Sequence, residues 1–229
     1  MFERPSQMKF RAAMLLFAIA LAGLSLWVLV PQWRPATIDR LPMSVQAAHA
    51  AVAERAGLDR AARAARIRGD LWAQLAFTYA SPLWPGAEED SDPRTVAAEG
   101  RGAIQAALAS APYEPGIWLL AASLGSQFDW ATFQPNAALK MSYYVGPNEA
   151  YLVPLRLFAA AHSNALEDSE IKQFVERDVR LILTRWGEFK SALIAVYKDA
   201  PPKAQRFFEA AVSETDPAFL QALQGSARH

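Results

Sequence analysis

Histidine is the commonest general base and metal ligand, and the chain has three: His49, His162 and His229. None belongs to an HExxH or His-x-His pattern, the spacings that would aim two imidazoles at one metal. His49 sits in an alanine-rich run with Glu54 five residues on. His162 stands beside Ser163 and Asn164, where a helix end would suit its charge. The densest acidic stretch is EEDSD at 88–92, where Glu88, Asp90 and Asp92 alternate as in some calcium loops. The glycine and bidentate glutamate that such a loop needs are missing, so the stretch reads as a solvated insertion. Arg55, Arg60, Arg63, Arg66 and Arg68 could meet anionic lipid or polysaccharide, but at this spacing they read as a solvated helix face. Gly100 and Gly102 lie in a helix-like run without the strand a phosphate loop requires, and there is no Gly-x-Ser-x-Gly elbow. With no cysteine there is no disulfide, thiolate metal site or cysteine nucleophile. The expectation is a chain with no catalytic set, no cofactor and no metal.

Charge narrows the partners further. Lysine plus arginine equals aspartate plus glutamate, 23 each. A nucleic-acid binder usually carries a basic excess, because phosphate neutralisation drives its affinity, so nucleic acid is not expected. Hydrophobic residues make up 52% of the chain and charged residues 20%, a globular balance. Alanine is abundant and β-branched runs are rare, which favours an all-α fold.

The first element is a candidate membrane span. Residues 12–30, AAMLLFAIALAGLSLWVLV, hold no charge, and Trp27 and Trp33 lie near the far end, where indoles favour the membrane interface. The apolar run is longer than a cleaved signal needs, and VPQWRPATI offers no convincing cleavage site, which favours a retained anchor. Arg4, Lys9 and Arg11 precede it and Arg34 and Arg40 follow, a modest bias toward a cytoplasmic N-terminus. The expected layout is a cytoplasmic segment 1–11, a transmembrane helix 12–33, a linker 34–43 containing Pro35 and Pro42, a helical domain 44–224 and a polar tail 225–229. In a bacterium the helical domain would be periplasmic and the anchor would sit in the inner membrane.

Within the domain, Ser44 can cap a helix over 44–56, Gly57 interrupts it, and 58–68 resumes the pattern. Asp70 can cap the next helix, in which Trp72, Leu75, Ala76 and Tyr79 share one face. A loop rich in proline and acid, 81–94, precedes a partner helix that runs up to Pro112. Beyond 165, Ile171, Phe174, Val175, Val179, Ile182 and Leu183 recur at helical spacing. Further helices are expected over 187–200, after Pro201-Pro202, and after Asp216-Pro217.

These spacings resemble the tetratricopeptide-repeat family, a helix–turn–helix unit of about 34 residues with a Trp-x2-Leu-Gly-x2-Tyr start and a closing proline. Trp72, Leu75, Ala76 and Tyr79 match that start, with alanine for glycine. Ala107 holds the small position before Pro112, and Trp118 follows Pro112 by six residues, as in the family. Pro147 comes 35 residues after Pro112. The resemblance covers about 58–160 and is degenerate: Trp72 to Trp118 is 46 residues, Val153 replaces the third tryptophan and Arg66 the first proline. It implies an array of antiparallel helical hairpins whose concave groove, at Ala73, Phe77, Leu119 and Ser123, would take an apolar segment of another cell-envelope protein. The stretch LKMSYYVGPNEAYLVPLRLFAA is similar to that of anchored repeat proteins found with surface-polysaccharide machinery, which implies an accessory of polymerisation or export. A second reading is a carbohydrate-active or ligand-binding helical domain, with Trp84, Trp130 and Tyr143 or Tyr144 stacking on sugars beside Glu88 or Asp129.

Overall fold

A computed structural model describes residues 5–29, 38–84, 86–87, 92–130 and 133–226. Trp33, Pro35, Glu88, Asp90 and His229 lie outside the described residues, as does the polar tail from 227. The described residues form eleven α-helices and no strand: α1 (Pro5–Leu29), α2 (Val45–Ala64), α3 (Gly69–Phe77), α4 (Pro93–Ser110), α5 (Pro115–Gln127), α6 (Pro135–Val145), α7 (Val153–Ala161), α8 (Ser169–Thr184), α9 (Lys190–Asp199), α10 (Pro202–Thr215) and α11 (Pro217–Ser226).

α1 has 25 residues, about 38 Å at ~1.5 Å per residue, which exceeds a ~30 Å hydrocarbon core. Its apolar window, Lys9–Leu26, is 0% buried, so the helix is long and apolar enough to cross a membrane and packs on nothing in the body. The remaining helices share one core. α2, α3, α4, α5 and α6 pack each on the next; α7 packs on α9, and α8 on α10.

Helix starts follow local chemistry. Ser44 caps α2 by accepting from the Ala47 amide at 3.2 Å, and Asp92 caps α4 through the Thr95 amide at 3.2 Å. Boundaries depart from the sequence reading: α2 ends at Ala64 rather than 68, and α4 begins at Pro93, inside the expected loop 81–94. Gly57 does not interrupt α2, because flanking helix formers offset a glycine cost of about 1 kcal/mol. α3 starts after Arg68, with Asp70 inside its first turn, and ends at Phe77, so Tyr79 follows the helix rather than completing its face.

One turn geometry recurs three times. Ala65, Ala111 and Gly146 close α2, α4 and α6 with φ of −114°, −140° and −137° and ψ of 59°, 61° and 66°. Three residues on, the amides of Arg68, Glu114 and Glu149 return to those residues' carbonyls at 2.9, 3.2 and 3.4 Å. The carbonyl after each closing residue is left pointing out of the helix, and a side chain takes it. Trp72 Nε1 donates to Arg66 O at 3.2 Å, and Trp118 Nε1 donates to Pro112 O at 2.7 Å. At the third turn, where Val153 has no donor, Arg177 Nη2 reaches across from α8 to Pro147 O at 3.1 Å. The six-residue spacing of Pro112 and Trp118 thus has a direct physical content: an indole satisfying a turn carbonyl.

Two glycines permit close approach. A Cβ on Gly69 would lie 2.5 Å from Ser110 O, and one on Gly100 would lie 2.7 Å from Tyr79 Cβ. Leu75, Ala76 and Ala107 are buried, while Trp72, Tyr79 and Trp118 are half-buried against the core.

Candidate functional site

Residues 38–43, which precede α2, form a strap on the body. Ile38 and Leu41 are buried in the core, and Trp84 Nε1 donates to Pro42 O at 3.1 Å. This bond joins the strap to a short 3-10 helix, Ser81–Leu83, that packs on α2, α4 and α5. Between strap, 3-10 helix, α7 and α9 lies a cavity of about 590 Å³, walled by Met43, Trp84, Tyr151, Leu155, Phe158 and Phe189 among others. Its one charged wall residue is Asp199. A smaller cavity of about 290 Å³ adjoins it, lined by Ser123, Ser126, Gln127 and His162 with Pro82 and Ala159. Leu83 and Phe158 line both.

The partition between the two carries a polar pair. The His162 ring stacks on Phe158, centroids 4.1 Å apart, and its Nε2 lies 3.1 Å from the Asp199 carboxylate. Its Nδ1 faces Phe158 O at 3.0 Å. Gln127 Nε2 donates to Pro82 O at 3.3 Å. Ser123 is 8% exposed, and its hydroxyl has no hydrogen-bond partner among the described residues.

α7 is fixed from its opposite face by a buried cation. Arg156, 0% exposed, donates through Nε to Ser142 Oγ at 3.1 Å and through Nη2 to Gly146 O at 2.9 Å and to Ser142 O. Its guanidinium lies 4.5 Å from the Tyr143 ring centroid, and Tyr143 stacks on Phe174 at 4.8 Å. Asp178 of α8 is also 0% exposed; the Tyr143 hydroxyl and Arg177, whose Nη2 stands 3.7 Å away, are the donors nearest its carboxylate among the described residues, and neither makes a well-formed hydrogen bond to it. Burial pushes the Asp178 carboxyl up from 3.8 to about 6, against the pull of Arg156, the Tyr143 hydroxyl and Arg177. Burial likewise holds the Tyr143 phenol well above its ordinary range.

The residues singled out from sequence do not assemble into an open groove. Ala73, Phe77 and Leu119 are 7%, 1% and 0% exposed, and Phe77 packs against Gly116 of α5. The physical reason is that α3, which carries Ala73 and Phe77, packs on α2, α4 and α5, the last of which carries Leu119. Of the four, Ser123 lines the smaller cavity. The aromatics of the sugar-binding reading are also dispersed. Trp84 borders the larger cavity, and Tyr143 is in the core. Exposed Tyr144 bonds to Glu170. Trp130, 7% exposed, packs on Phe133 and faces a separate hollow with Arg94, Arg101 and Asp129. Asp129 has φ of 51°, where the chain leaves α5 and the Trp130 amide returns to Gly125 O at 3.0 Å, a helix-ending role. His49 is exposed on α2. Among the described residues no three His, Asp or Glu side chains cluster as a metal site would require.

The arginine stretch is engaged locally. Arg63 pairs with Asp59 at 2.8 Å, Arg68 with Asp70, and Arg60 donates to Ala56 O at 3.2 Å. Arg55 donates to Thr78 and lies 4.2 Å over the Tyr79 ring. Sequence reasoning missed Arg156 and Asp178. The available signal was a charge inside the apolar run VPLRLFAAA and an acid on the apolar stripe of α8.

No family model, curated protein or solved structure matches this chain.

Proposed function

We propose that the chain is a membrane-anchored helical scaffold that carries out no catalysis and holds another cell-envelope protein near the membrane, with its body on the periplasmic side. The observation that carries this reading is α1, an apolar helix exposed over Lys9–Leu26, together with a strap from Ile38 built into the core of the body. The three equivalent turns support reading 58–160 as degenerate tetratricopeptide-like units, and an accessory role in polysaccharide polymerisation or export rests on sequence resemblance alone.

Ala73, Phe77 and Leu119 are buried and offer little to a partner. A better surface is the turn edge. Ile67 and Tyr113 hold the same position in the first two turns and are 76% and 67% exposed. Exposed apolar side chains repeated at one structural position suit protein contact. Photo-crosslinking residues placed at 67 and at 113 in the native membrane should capture the same single protein, and one placed at exposed Arg206 should not. Unrelated products from the two positions would refute the reading. Reporter fusions at residue 40 and at the C-terminus test topology separately.

A further inference from the structure

The two cavities that meet at Leu83 and Phe158 differ in chemistry, and the difference defines a ligand. We propose that together they bind a single-chain amphiphile, with the apolar chain in the larger cavity and an uncharged, hydroxyl-bearing head in the smaller.

The larger cavity, about 590 Å³, lies within the ~300–1,000 Å³ range of small-molecule sites. Its walls are aromatic and aliphatic, and Asp199, the one charged group, lies against His162. A polar head placed there would lose water with few groups, chiefly Tyr151 and Asp199, to replace its hydrogen bonds. The smaller cavity offers what the larger lacks: Ser126, Gln127 and the buried, partnerless hydroxyl of Ser123. Buried polar groups are satisfied in nearly all folded proteins, so an orphaned hydroxyl lining a cavity points to a group that completes it. Among the described residues neither cavity has a lysine or arginine in its lining, so a phosphate head finds no lysine or arginine counter-charge there while a hydroxyl finds donors and acceptors.

The source follows from the strap. Met43 lines the larger cavity, and Trp84, another wall, holds Pro42. Nine chain steps separate Leu29 of α1 from buried Ile38, a reach of at most about 32 Å at ~3.5 Å per residue. The bilayer as supplier of the amphiphile rests on the anchored reading; the site itself does not.

The test uses the full chain in phosphatidylcholine vesicles with a monoacylglycerol carrying a diazirine in its acyl chain. Labelling is expected on peptides covering 151–158 and 189–199. Ala195→Trp fills the larger cavity from an exposed position that spares the core, and should abolish that labelling with helicity unchanged. Ser123→Ala should weaken competition by unlabelled monoacylglycerol about two- to tenfold, the effect of one neutral hydrogen bond, and leave the corresponding methyl-capped alkane unaffected. Labelling that survives Ala195→Trp, or that falls on α1 alone, would overturn the proposal. So would equal competition by phosphatidate, or a polypeptide crosslinked at 195 that monoacylglycerol fails to displace. Vesicle flotation and a repeat in phosphocholine micelles separate the two readings. Cleft labelling in micelles by a chain that does not float keeps the site and removes the anchor; a floating chain without cleft labelling removes the site.

Discussion

Replacing Asp178 with asparagine should make the protein more stable at neutral pH, although Asp178 lies beside two arginines. Asp178 is 0% exposed, and its carboxyl is lifted from 3.8 to about 6 chiefly by burial, with Arg156 and Arg177 opposing. The folded chain therefore holds the proton more tightly than the unfolded chain, and protonation favours the fold. That contribution is complete below pH ~4, declines as pH rises and is lost above pH ~6. At about 1.4 kcal/mol per tenfold change in proton affinity, the difference is about 3 kcal/mol. Asparagine keeps the shape of the protonated acid and has no charge to desolvate. The Asp178→Asn variant should match the wild type near pH 4 and exceed it by about 3 kcal/mol at pH 7.5. Urea unfolding of the full chain in nanodiscs, followed by tryptophan fluorescence from pH 4 to 8, measures this gap. The opposing expectation is specific: breaking a buried ion pair costs about 3–5 kcal/mol when one charge is left alone. A variant less stable than wild type at pH 7.5 would show that Arg156 and Arg177 outweigh burial, and parallel curves would show that Asp178 has an ordinary carboxyl. Either result would refute the reasoning.

The turn geometry and the helix contacts give further expectations. Trp118→Phe removes the 2.7 Å indole bond to Pro112 O and should cost about 0.5–1.5 kcal/mol, more than Trp72→Phe with its 3.2 Å bond, both read from urea midpoints. Within α4, Gly100→Ala should destabilise by about 1–3 kcal/mol, because its Cβ would meet Tyr79 Cβ at 2.7 Å. Gly102→Ala, with nothing within 4 Å, should stabilise by up to about 1 kcal/mol, so the two shifts in Tm should have opposite signs. Phe77→Glu and Leu119→Glu should lose cooperative unfolding, since both side chains are core, whereas Ile67→Glu should unfold like wild type; circular dichroism melts distinguish them.

How far the sequence could be read depends on whether a feature is local. Ser44 caps α2 and Asp92 begins α4 through bonds to residues three positions away, so the side-chain type alone predicts much of the outcome. The spacing of Pro112 and Trp118 was legible for the same reason: one indole and one carbonyl in a single turn. The third turn was less so, because the donor to Pro147 O is Arg177, thirty residues on and in another helix. The groove residues failed for a related reason. Positions such as Phe77 and Leu119 line an open surface only if nothing packs over them, and here α3 packs on α2, α4 and α5 and both side chains are buried. A repeat spacing predicts which residues face a groove, but not whether neighbouring helices close it.

The cleft and the Arg156–Asp178 cluster were beyond sequence reading in a stronger sense, and they depend on each other. Each member carries a visible anomaly: Arg156 is a charge in an apolar run, and Asp178 falls on the stripe of Ile171, Val175, Val179 and Ile182. What the sequence omits is that α6, α7 and α8 bring them together around Tyr143. Arg156 binds one side of α7 to the end of α6. Leu155 and Phe158, on the same helix, form walls of the cavity. A change that loosens Arg156 should therefore disturb the cleft as well as the core. Arg156→Met, of similar length but without donors, should leave Ser142 Oγ and Gly146 O unpaired by the side chain and reduce monoacylglycerol labelling of 151–158 while the chain remains helical. Wild-type labelling in Arg156→Met would mean that α7 is held by its apolar contacts alone, and that the cleft owes nothing to the buried cation.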